Sequence, residues 1–195
     1  DCLLSRGLGD VYKRQLLLTG IAMSFTKTSR PGSGTEHIMA HFWECMELLD
    51  SKTPNYHGED VGVTTLIMLR YYEALARLPQ VTAHPEICNW DEIYSIYGPL
   101  APDVQKLNTP DTITDGIAPR WIEACWPQIR RIVQSVPSYD ACLAAMRQAG
   151  CKTTIEEVGK APDFVDISFR FHPYMRRRLS LKRVSHMLDL PEDLF

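Results

Sequence analysis

The sequence predicts an all-α fold, and three observations carry that prediction. Apolar and small residues recur at helical spacing between turns, as in His57 to Leu78, where Val61, Thr64, Thr65, Met68, Tyr71, Tyr72 and Leu75 fall in register. No stretch of useful length alternates apolar and polar residues as a half-buried strand does. Prolines and capping residues stand where helices should begin, at Asn89, Pro119, Ser138, Pro162 and Pro173. The chain has 195 residues, which suits one domain, or one and a small extra. The expectation is about eight to ten helices.

Taken in order, residues 16–27 predict a buried first core helix. They are apolar nearly all round, and Gly20 would allow close approach. Lys13 and Arg14 followed by Leu16–Met23 mimic a signal peptide, but Ser24-Phe25-Thr26-Lys27 offers no small-x-small cleavage site. Ser29 to Gly34 is a loop with a proline and two glycines. Thr35 is the expected N-cap of a central helix from Glu36 to about Asp50. After a turn at Ser51–Asn55, a helix opened by His57 runs to about Leu78. A short helix capped by Asn89 should pack Trp90, Ile93 and Ile96 or Tyr97, and Pro102–Leu107 is a short helical piece. Ala118 to Val136 is a strong helix with Trp121, Ile122, Cys125, Ile129, Ile132 and Val133 as its apolar stripe; Pro127 should kink or split it. Ser138 caps a helix to Gln148 that Gly150 ends, and Thr154 caps a turn to Gly159. Pro162 starts a helix through about Phe171, and Pro173 starts the last one, through Leu188.

Composition narrows the function classes. The net charge of −3 does not point to nucleic acid as a partner. No apolar run approaches the length of a membrane span. Six cysteines without a Cys-x-x-Cys pair read as free buried thiols in a reducing cytoplasm. Arg176-Arg177-Arg178 with Lys182 and Arg183 reads as a solvated helix face. Trp43, Trp90, Trp121 and Trp126 occupy core-like helical positions and read as packing residues.

The chemistry concentrates between Ser29 and Glu59. His37 and His41 are four apart, which on a helix places both imidazoles on one face. His57 opens the next helix, and a helical hairpin can return it beside His37, so His37 and His57 are the expected metal ligands. Glu36 points about 100° away from His37 on the helix, and neither Glu36 nor Glu59 is assigned as a ligand. The Ser29–Thr35 loop precedes a helix N-terminus, where free N–H groups and small side chains suit a phosphate, with Arg30 or Lys27 to supply charge.

The same residues carry a resemblance. Gly20-Ile21-Ala22-Met23, Ser29-Arg30-Pro31-Gly32-Ser33-Gly34-Thr35-Glu36-His37, His41-Phe42-Trp43-Glu44, His57-Gly58-Glu59 and Val61-Gly62-Val63 resemble the iron-containing alcohol dehydrogenase and dehydroquinate synthase-like superfamily, and within it the glycerol-1-phosphate dehydrogenases. The resemblance covers about residues 16–195. It implies a helical C-terminal metal- and substrate-binding domain whose N-terminal nucleotide-binding α/β domain is missing. Residues 1–15 fit no part of the family and resemble translated adapter sequence, so they are set apart as non-native. The resemblance further implies NAD(P)H as cofactor and a divalent metal, zinc foremost, with nickel or iron as alternatives. The third ligand would be an acidic residue from the nucleotide-binding half. His41 becomes the substrate-side, catalytic histidine, and Ser33 and Gly34 join it in binding substrate. The implied reaction is reduction of dihydroxyacetone phosphate to sn-glycerol 1-phosphate in a cytoplasmic homo-oligomer. Another superfamily member, a glycerol dehydrogenase or dehydroquinate synthase-like enzyme, and a non-catalytic helical binding module are the competing readings.

Overall fold

The computed structural model describes residues 2–195, with side chains from Lys13 onward. Among the described residues the fold is all-α. Nine α-helices and four short 3₁₀ turns carry it, and the one β feature is an isolated bridge between Ala83 and Leu188. The chain divides into a first unit ending at Gly34 and a second unit, Thr35–Phe195.

The first unit is helix α1, Cys2–Thr26, followed by a 3₁₀ turn at Arg30–Gly32. The turn packs on α1 where Gly32 has no room for a side chain. A Cβ there would stand 3.1 Å from the Thr19 methyl and 3.3 Å from the Met23 sulfur. The turn covers one stripe only, so the expected buried core helix is not what residues 16–26 form. Leu16, Leu17, Leu18, Ile21 and Phe25 are all exposed. Gly20 faces open space rather than a close neighbour. The boundary expected at residues 15 and 16 falls inside α1; Asp1 and the side chains of residues 1–12 lie outside the described residues.

The second unit is built around α2, Thr35–Leu49, and α3, His57–Arg77. Helix α2 buries Ile38, Met39, Ala40, Phe42 and Trp43, the stripe that its spacing foretells. Complete burial of a side chain the size of Phe42 or Met39 contributes roughly 1.5–3 kcal/mol. Thr35 is the first residue of α2, and its hydroxyl accepts from the Tyr72 hydroxyl at 3.0 Å. The buried Thr64 hydroxyl donates toward the Glu36 carbonyl at 2.9 Å, so α3 is tied to the first turn of α2 twice.

Four further helices close over this pair: α4 Trp90–Tyr97, α5 Ala101–Asn108, α6 Pro119–Gln134 and α8 Pro162–Phe171, with α7 Tyr139–Gln148 between the last two in sequence. Ile93, Tyr97, Val104 and Phe171 join Met39, Phe42 and Trp43 in one core cluster. Ile122 and Trp126 join Tyr71 and Leu75 in a second cluster with Met187 and Leu188. The caps expected at Asn89 and Ser138 form: Asn89 accepts from the Glu92 amide and Ser138 from the Ala141 amide.

Several expectations are corrected. Helix α6 is not split at Pro127. The Trp126 indole donates to the Leu78 carbonyl at 3.0 Å and Arg130 to the Ala76 carbonyl at 2.9 Å, which hold the helix on both sides of the proline. Its covered stripe is Ile122, Trp126, Ile129 and Val133, whereas Trp121, Cys125 and Ile132 are exposed. Periodicity alone does not separate these two stripes, which lie one helical residue apart. The last helix is broken. A 3₁₀ turn at His172–Met175 is followed by extended backbone, then by α9, Leu181–Val184, capped by Ser180. The basic run is therefore no solvated helix face. Arg177 pairs with Asp111 at 2.6 Å, Lys182 is buried, and the fully buried Arg183 pairs with Glu86 at 2.8 Å. Among the described side chains the thiols are not buried either: Cys45, Cys88 and Cys142 are half-buried, and Cys125 and Cys151 are exposed, while the Cys2 side chain lies outside the described residues.

One cross-brace bears on the site. The Lys160 ammonium, on the loop before α8, donates to the Glu47 carboxylate of α2 at 2.5 Å and stands 3.5 Å from the Asp60 carboxylate of α3. Asn55 adds bonds to Asp60 at 3.1 Å and to the Val158 carbonyl at 2.7 Å.

Candidate metal centre

His37, His41 and Glu44 fall at i, i+4 and i+7 on α2, so one stripe carries all three, beside the buried stripe. His57 is the first residue of α3 and meets that stripe from the facing helix. One ligand atom from each of His37, His41 and His57 lies within 4.8 Å of the others. The ring centroids are 4.5 Å apart for His37 and His57, 5.0 Å for His37 and His41, and 4.8 Å for His41 and His57. The closest approach is between the two Nε2 atoms of His37 and His57, at 2.8 Å. All three rings are half-buried, open enough for an ion to enter.

Burial lowers the pKa of His37, and the neighbouring His57 and His41 lower it further, which favours the neutral ring. Neutral imidazole nitrogen is what a divalent ion of the zinc type binds. Two Zn–N bonds of about 2.0–2.1 Å at a tetrahedral angle put the nitrogens roughly 3.3 Å apart. The 2.8 Å gap between His37 and His57 therefore needs to open by only about half an ångström, a small ring rotation. The donor set fits the metal that the sequence implies.

Glu44 was not singled out from the sequence, although its spacing from His37 and His41 places it on their stripe. Its carboxylate accepts from His57 Nδ1 at 2.5 Å and from His41 Nδ1 at 3.0 Å. Desolvation pushes the Glu44 carboxyl up, but the hydrogen bonds from His57 and His41 outweigh it and hold it below the usual carboxylate range. Glu59 is engaged elsewhere, in an ion pair with Lys152 at 2.8 Å. Ser33 and Gly34, the other expected substrate residues, belong to the first unit, at the end of its 3₁₀ turn.

The helix pair brings three imidazoles within 4.8 Å of one another with a carboxylate behind them, a donor set that could hold a divalent metal ion. The particular likeness is to glycerol-1-phosphate dehydrogenases. The chain is 27% identical over 180 residues to the NAD(P)⁺-dependent enzyme of Geobacillus stearothermophilus, covering 92% of this chain and 38% of that one. It is 25% identical over 177 residues to that of Geobacillus thermodenitrificans, covering 91% and 37%. A shorter segment of 62 residues is 44% identical to the Pyrococcus furiosus enzyme. The chain thus spans under two-fifths of the length of the first two of these relatives. No protein-family model matches, and no solved structure does.

Proposed function

We propose that this chain is the metal- and substrate-binding helical part of an NAD(P)-dependent glycerol-1-phosphate dehydrogenase. The observation that supports it most is the convergence of His37, His41 and His57 within 4.8 Å, in a chain similar over 92% of its length to such an enzyme. His37 and His57 hold the metal through their Nε2 atoms. When bound, the metal supplies a Lewis acid that polarises the C2 carbonyl of dihydroxyacetone phosphate, and NAD(P)H supplies the hydride. His41 faces the substrate, hydrogen-bonds the developing alkoxide side and delivers or holds a proton there. Ser33 and Gly34 are assigned to substrate on their motif. The buried face of α2 keeps water from the back of the rings and fixes their directions.

The test separates the roles. In a full-length enzyme that carries this segment, His57→Ala abolishes tight zinc binding and turnover together. His41→Ala keeps the metal and loses turnover or affinity for dihydroxyacetone phosphate. Loss of zinc from His41→Ala with retention in His37→Ala would reverse the assignment. Assays on dihydroxyacetone phosphate, glycerol and the dehydroquinate precursor identify the substrate.

A further inference from the structure

The proposal rests on the metal-site reading above. We propose that Glu44 is the positioning residue of the metal centre: one carboxylate, bonded to Nδ1 of both His41 and His57, fixes their tautomers so that His57 turns its Nε2 lone pair toward the ion and His41 turns its own toward the substrate side.

The argument is one of donors and acceptors. An ionised carboxylate only accepts, and a neutral imidazole has one N–H and one lone pair. The nitrogens that face Glu44, at 2.5 Å and 3.0 Å, must therefore carry the hydrogens. That leaves Nε2 of His57 and of His41 as the lone-pair nitrogens. With a neutral His57, whose Nε2 is 2.8 Å from His37 Nε2, His37 is the donor in that contact in the metal-free chain. His37 is then the odd ring, an Nε2–H tautomer, and the one that has to move its hydrogen to Nδ1 when metal arrives. Glu44 bonds the two rings that are already set and not the one that changes.

The geometry suits that role. Glu44 lies one turn beyond His41 on α2 and reaches across to the first residue of α3, so it joins the two metal-bearing helices as well as two rings. Its side chain is 19% exposed, against 36% for His41 and 41% for His57, so it stands behind the rings rather than in front of them. Outer carboxylates that orient ligating histidines typically change metal affinity 10–100-fold when removed.

Glu44→Gln is the informative substitution, because it keeps the shape and leaves one acceptor where there were two. One ring keeps its Nδ1–H; the other meets an amide N–H and flips to Nε2–H. Long-range ¹H–¹⁵N spectra of the ¹⁵N-histidine-labelled, metal-free chain read this directly. The expected wild-type pattern is Nδ1–H for His41 and His57 and Nε2–H for His37. In Glu44→Gln one of the first two converts; conversion of His57 lowers zinc affinity, measured by chelator competition, about 10–100-fold, and conversion of His41 alone leaves it within about twofold. Far-UV circular dichroism checks that the variant folds, and Glu44→Ala should free both rings and lose as much affinity or more. A wild-type His57 found as Nε2–H, or unchanged tautomers with zinc affinity within about twofold in Glu44→Gln, would overturn the proposal. If the wild-type chain shows the expected tautomers but takes up no zinc, the orienting role of Glu44 stands and the metal reading fails.

Discussion

Lys160→Met tests how the fold holds the site. Lys160 is 1% exposed, and its two partners, Glu47 and Asp60, are 16% and 0% exposed. Methionine keeps the stem beside Trp43, over whose ring the ammonium now sits at 5.4 Å, and removes the charge. Two carboxylates then face each other without a cation. Breaking a buried ion pair by removing one partner costs about 3–5 kcal/mol. For a chain of this size each kcal/mol lowers Tm by roughly 2–4 °C, so the midpoint should fall by roughly 6–20 °C. The pH dependence gives a second reading. Burial raises the Asp60 carboxyl pKa despite the Asn55 hydrogen bond and the Lys160 charge. A carboxyl raised in the folded state is accommodated best below its ordinary range near pH 4. It loses stability as pH rises through the folded value. Without Lys160 only the Asn55 hydrogen bond offsets that ionisation, so the deficit of the variant should be larger at pH 7.5 than at pH 5. Glu47 lies one turn beyond Glu44 on α2, and Asp60 one turn beyond His57 on α3, so zinc affinity should drop with stability. Chemical unfolding at the two pH values, with chelator present, measures the first effect. A loss below about 1 kcal/mol at pH 7.5, or one independent of pH, would refute the reasoning.

Three other outcomes are expected. Burial, and then the nearby Lys182 charge, push the His172 pKa down to about 3, and its Nδ1 donates to the Ser168 carbonyl at 2.8 Å. The unfolded chain binds that proton near pH 6.5 and the folded chain does not, so stability falls by up to about 1.4 kcal/mol per pH unit below that point. His172→Asn, whose amide can replace Nδ1–H, should flatten the acid limb of a pH-unfolding curve. Trp126→Phe removes the bond to the Leu78 carbonyl and should cost about 1 kcal/mol or somewhat more in urea unfolding. The exposed leucines and isoleucine of α1 should make the chain self-associate, and Leu17→Glu with Ile21→Glu should reduce the apparent mass in sedimentation. An unchanged mass would show that this face does not drive association.

The sequence made some features plain because the signal was local. Asn89, Ser138 and Pro162 each mark a helix start within one residue, since a cap or a preset φ acts on its own turn. The meeting of His37, His41 and His57 was legible for the same reason: a four-residue step on one helix and the first residue of the next leave little freedom. What failed depended on contacts far along the chain. Arg183 looks like a surface cation until Glu86, 97 residues away, pairs with it inside the core. Periodicity could not tell Trp121 from Trp126, because adjacent stripes of α6 are both apolar and only the partner decides which is covered. Glu44 lay on the right stripe and inside the His41–Glu44 string, but as a lone carboxylate one turn past a histidine it signalled no role until His57 arrived beside it.

The hairpin and its brace also differ in when they can form. His37 and His57 are 20 residues apart, so their meeting is a local event that closes early in folding. The contacts that clamp the same two helices, Asn55 to Val158 and Lys160 to Glu47, span 103 and 113 residues. Such long loops close late. During synthesis the histidines would therefore leave the ribosome long before the segment that locks them. An ion bound in that interval would hold α2 and α3 together until residues 158–160 emerged. A metal ion bound to these histidines would then act as a template for folding.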